Sequence, residues 1–160
     1  MFLKRRFVIV FFLTAALGTG LHFLYDVCPN PLFALVAPIN ESVWEHGKLF
    51  FWPFAAAGWY LYRRGAGLGA LLAAELLMPA VMLGAYYALR FGFAVEGLAV
   101  DLAIYYGTLA GGFYFAYRHR GSRAFSRAAG VLAMLVCVIA SCYLVFSIAA
   151  PDLPVFTPGI

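Results

Sequence analysis

The sequence predicts an all-α polytopic membrane protein of about five transmembrane helices with a cytoplasmic N-terminus and an extracytoplasmic C-terminus. Three observations predict it. Of the 160 residues, 65% are hydrophobic and 11% are charged, and the mean hydropathy is +0.90. A soluble globule of this length exposes more surface than 11 basic and 7 acidic side chains can wet. Apolar windows of membrane-crossing length recur along the chain, and the basic residues alternate from one connection to the next. The connections are too short for a separate soluble domain, so residues 1–160 read as one transmembrane unit.

Taken in order, the windows are 7–25, 43–62, 67–89, 94–117 and 129–149. The first connection, 26–42, contains Pro29, Pro31 and Pro38 around the apolar run Leu32–Ala37. It is expected to lie in the outer interface or to dip shallowly back into the protein. Asn40 suits the N-cap of the second span, with Glu41 and Ser42 in the first turn, where the helix dipole favours negative charge. Trp44, Trp52, Trp59, Tyr60 and Tyr62 fit aromatic belts at the ends of that span. Gly18, Gly20, Gly65, Gly67, Gly69, Gly107, Gly111 and Gly112 fit close helix contacts. The Pro-rich stretch 151–160 reads as an extended outer tail.

Lys4, Arg5, Arg6, Arg63, Arg64, Arg118, Arg120, Arg123 and Arg127 all fall on one side of this arrangement, leaving only Lys48 and Arg90 on the other. Lys and Arg resist translocation, so the N-terminus is assigned to the cytoplasm. The net charge of +4 thus belongs to orientation, and nucleic acid is not an expected partner. The basic start and first apolar run lack an A-x-A site, so this span is expected to be retained. Cys28, Cys137 and Cys142 have neither zinc-knuckle nor disulfide-framework spacing. No repeat of solenoid or inverted-repeat type is visible.

Ionisable groups at membrane depth are costly and concentrate at functional positions. At 1.5 Å per residue, His22 lies about 22 Å along the first span, near the outer boundary. The antiparallel second span brings Glu41, Ser42, Glu45, His46 and Lys48 to the same level. Asp101 lies about 10 Å into the fourth span, and Tyr86 and Arg90 end the third on that side. These residues are expected to form one outer pocket. Glu75 stands apart near mid-membrane, where it is expected to be protonated or paired.

Asn40-Glu41-Ser42-Val43-Trp44-Glu45-His46, together with His22-Phe23-Leu24-Tyr25-Asp26 and Asn30-Pro31, resembles the signature H-F-x-Y-[DE] … N-E-S-x-W-E-H-x-K of a family of small, uncharacterised bacterial integral membrane proteins. Asp101 and Pro151-Asp152-Leu153-Pro154 extend the resemblance over most of the chain. Gly47 stands where the family has Leu, and the tail stops early at Ile160. The resemblance implies a multi-pass protein of the bacterial cytoplasmic membrane and a shared polar site. It implies no activity.

Two imidazoles and several carboxylates at one depth are ligand types for a divalent ion such as zinc. His22, Glu45 and His46 are the candidate ligands, with Asp101 or Glu41 nearby. Glu45, His46 and Asp101 are the candidate catalytic groups, and Glu41, Ser42, Lys48, Tyr86 and Arg90 the candidate substrate-binding groups. This set suits a hydrolase or transferase acting on a lipid, a lipid-linked substrate or another small molecule arriving from the outer leaflet. A metal-free version uses Ser42 and His46 at i, i+4 as nucleophile and base. Three other classes fit the same residues: a small transporter or proton pathway through Glu75, a bis-imidazole haem between His22 and His46, and a structural or partner-binding subunit.

Overall fold

The computed structural model describes residues 2–158, and among these there is helix and no strand. The long helices are α1 (Phe2–Val27), α4 (Lys48–Arg63), α5 (Leu68–Tyr87), α6 (Leu98–His119) and α7 (Arg123–Phe146). Two single turns, α2 (Pro31–Ala34) and α3 (Val43–His46), lie in the first connection. Helix α5 widens into a π turn at Ala88–Gly92, and a 3-10 turn at Pro154–Phe156 follows α7.

Among the described residues, four helical stretches are long and apolar enough to cross a membrane: Phe2–Val27, Leu68–Gly92, Leu98–His119 and Arg123–Phe146. The second of the five expected spans is different. Gly47 separates α3 from α4, and the 16 residues of α4 reach only about 24 Å, short of the ~30 Å hydrocarbon core. Its surroundings account for this. Lys48, Phe50, Phe54 and Leu61 are fully buried, so much of α4, like α5, is solvated by protein. Helix α1 packs on α4, and α5 packs on α4, α6 and α7. Helix α7 is the opposite case, with Tyr143 its one buried residue.

Proline and glycine fix where α4 meets its neighbours. Pro53 cannot donate to the carbonyl four residues back, which leaves Leu49 O without its helical partner. The Tyr105 hydroxyl of α6 donates to Ala15 O (3.3 Å) and, at 3.5 Å, to Leu49 O. A side chain at Gly18 would collide with both Leu49 O and the Tyr105 hydroxyl. Three helices therefore converge at a point that only glycine allows. A second such layer surrounds Phe113, on which Phe7, Phe11 and Phe54 pack edge-on.

The helices alternate in direction. Phe7 at the start of α1 packs against Tyr117 at the end of α6, 5.3 Å between centroids, while Gly67 before α5 abuts the Arg120 carbonyl. The N-terminal, 63–64 and 118–127 basic groups thus gather at one end of the bundle. His22, Lys48 and Arg90 belong to the other.

Several expectations are corrected here. Trp44 is not a belt residue: it packs on Tyr143, Phe146 and Phe156 at 4.7, 5.7 and 5.2 Å. Trp52 likewise has its indole nitrogen buried, leaving Trp59, Tyr60 and Tyr62 exposed. The tail is not extended through 154–156, because Phe156 folds back onto Trp44 and Phe146. Residues 159–160 of the tail lie outside the described residues.

Candidate functional site

The site is built where the first connection turns into α3. Asn40 is not the cap of this helix. Its Oδ1 accepts from Ser42 N (2.9 Å), closing a turn one step earlier, and Ser42 is the N-cap, its hydroxyl accepting from Glu45 N (3.3 Å). Glu41 consequently lies outside the helix and is free to swing toward His46, whereas Glu45 is locked inside the first turn.

His46 Nδ1 lies 2.9 Å from Ser42 O. A carbonyl only accepts, so Nδ1 carries a hydrogen, and in the neutral ring Nε2 presents a lone pair. That lone pair faces Glu41 Oε2 at 3.3 Å. Two acceptors set against each other require a proton or a cation between them. The His22 ring lies 5.4 Å from the His46 ring, centroid to centroid, and its Nδ1 is buried with no hydrogen-bond partner among the described residues. One ligand atom from each of His22, Glu41 and His46 lies within 4.8 Å of the other two. Donors on a tetrahedral zinc ion lie about 3.4 Å apart, so rotamer movements of about 1 Å would complete coordination. The carboxylate side is open, with the Glu41 side chain 67% exposed.

Glu45 is placed elsewhere. It is buried, its Oε2 accepting from Lys48 Nζ at 2.6 Å and from Ile39 N at 3.0 Å. Lys48 also donates to Ala34 O (2.9 Å) and Ala37 O (3.5 Å). The pair therefore holds the covering segment 30–39 from beneath, with Ala37 fully buried. The segment is held by one turn of helix capped by Asn30 and then by backbone carbonyls satisfied by a buried ammonium. Ser42 is buried too, its hydroxyl serving as cap, and the His46 ring meets its carbonyl rather than its hydroxyl. The nucleophile-base pairing of Ser42 with His46 is absent from this geometry.

Asp101, Tyr86 and Arg90 are brought together in a second place, a crevice between the end of α5 and the start of α6. Arg90 reaches Glu96 (3.4 Å) and donates to the Tyr86 hydroxyl (2.8 Å). Asp101 is exposed there and is not among the groups that converge on His22. Glu96 was not singled out from sequence. Its signal is its place in the five-residue connection 93–97, next to Gly97, whose φ of +125° sets the start of α6. Glu75 is buried in α5, and its Oε1 has no hydrogen-bond partner among the described residues. The three cysteines are free.

Compared with known proteins, residues 3–160 match the model of a family of unknown function, DUF6512. No curated protein and no solved structure matches the chain.

Proposed function

The chain belongs to DUF6512, a family of unknown function, and from that premise we propose that it is a membrane protein whose His22, Glu41 and His46 hold a divalent ion such as zinc for hydrolysis at lipid head-group level. One observation carries this reading. His46 Nε2 faces the Glu41 carboxylate at 3.3 Å, and the buried Nδ1 of His22 has no hydrogen-bond partner among the described residues. A cation satisfies all three at once.

Two histidines and one carboxylate form the ligand set of hydrolytic zinc sites, which keep a fourth position for water and lower its pKa to about 7. The exposure of Glu41 leaves room for that position. The Ser42 carbonyl plays the outer role that such histidines need, holding Nδ1–H so that Nε2 points at the ion. With the N-terminus in the bacterial cytoplasm, the site lies in the outer leaflet, where an ester or phosphoester of a lipid or lipid-linked substrate would meet it.

Metal analysis of the detergent-purified chain tests this. One zinc ion per chain is expected after reconstitution, with affinity reduced at least tenfold in His22→Ala, Glu41→Ala and His46→Ala. Acidification should release the ion, because imidazole ligands must be unprotonated to bind. Absence of stoichiometric binding, or variants that bind as wild type does, would overturn the site. Stoichiometric zinc without hydrolysis of fluorogenic lipid esters or phosphoesters would overturn the catalytic role and leave a structural ion.

A further inference from the structure

The face of α5 and α6 away from α1 carries a half-open groove of about 400 Å³, lined almost wholly by apolar atoms. It runs from Ala74 to Ala85 on α5, an axial length of about 16 Å. That is half of a ~30 Å hydrocarbon core, the depth of one leaflet. Gly107 and Gly111 form part of its wall, and a Cβ at either would meet nothing within 4 Å. Packing within the chain does not require glycine at these positions. Gly112 differs, because Met78 fills the space beside it.

The groove adjoins the crevice of Arg90, Glu96 and Asp101, Ile104 lining both. One guanidinium and two carboxylates therefore stand at the mouth of a channel one acyl chain deep. The Arg90–Glu96 contact is loose, at 3.4 Å, with the Glu96 side chain 65% exposed, so an incoming phosphate can displace it. The mouth thus offers one site for an anion and two for a cation that donates hydrogen bonds.

We propose that this groove binds one acyl chain of an aminophospholipid, with its phosphate on Arg90 and its primary ammonium on Glu96 and Asp101. The charge pattern favours a zwitterionic head over an anionic one, because a head with no ammonium leaves the two carboxylates facing a phosphate. Trimethylated ammonium has no N–H to donate to them. A second copy of the chain fits less well: two-fold pairing of parallel helices through Gly107 and Gly111 sets like charges of the two mouths at one level. The site is separate from the histidine cluster and does not depend on it.

Native mass spectrometry of the full chain tests the assignment, using ethanolamine, choline and glycerol phospholipids with identical acyl chains. One ethanolamine lipid should be retained at least fivefold better than either other lipid. Gly107→Leu should abolish retention of all three, and Glu96→Gln with Asp101→Asn should abolish the preference while keeping binding. Helicity and monomer elution serve as controls, and if Gly107→Leu fails to fold, the exposed Glu96 and Asp101 variants carry the test. Equal retention of the three head groups, or variants that behave as wild type, would overturn the proposal. A dimer that Gly107→Leu dissociates would assign the groove to a second copy.

Discussion

Lys48 and Glu45 form a buried ion pair of 2.6 Å, their side chains 0% and 3% exposed. The same ammonium bonds the carbonyls of Ala34 and Ala37, and the same carboxylate accepts from Ile39 N. Two residues one helical turn apart thereby fasten the whole covering segment to α4.

Lys48→Met should lower stability by about 3–5 kcal/mol, because it strands a buried carboxylate. Loss of both charges in Glu45→Leu/Lys48→Met should cost less than the sum of the single changes. Thermal unfolding of the four proteins in one detergent checks this. Additive costs would show that the pair has no coupling.

Gly47 and Tyr143 are matched in the same way. A Cβ on Gly47 would fall on the Tyr143 hydroxyl, so Gly47→Ala should destabilise by about 1–3 kcal/mol. Tyr143→Phe in the same chain should recover part of that loss. Full tolerance of Gly47→Ala alone would contradict the contact.

Glu75→Gln should fold and unfold as wild type does to within about 1 kcal/mol. The substitution keeps shape, and the buried Oε1 gives up no hydrogen bond among the described residues. A variant that aggregates during purification, where wild type does not, would show that Glu75 acts through its charge.

Reporter fusions after Arg64 and after Arg123 should both read cytoplasmic, and a fusion after Phe93 should read extracytoplasmic. The clustering of basic groups at one end of the bundle predicts this orientation, because Lys and Arg resist translocation. An extracytoplasmic signal at either arginine reverses the side on which the histidine cluster lies.

Helical class and the four membrane-length helices followed from the sequence alone, because long apolar windows in a chain with so few charges leave backbone groups only one way to be satisfied away from water. The convergence of His22 with His46 was also legible, since antiparallel neighbours at a fixed rise place those positions at one depth. The division of labour between Glu41 and Glu45 was not. Both lie within a few residues of His46, and spacing alone cannot say which carboxylate faces it. Ser42 decides it by capping α3: Glu41 is left outside the helix beside Nε2, and Glu45 is turned inward to Lys48. The burial of helix α4 was not legible either, for a related reason. Hydropathy reports that Phe50, Phe54 and Leu61 avoid water, and burial in protein satisfies that as fully as lipid does. Asp101 shared the depth of the histidines but not their side of the bundle, because depth is a property of one helix and azimuth is set only when helices pack against each other.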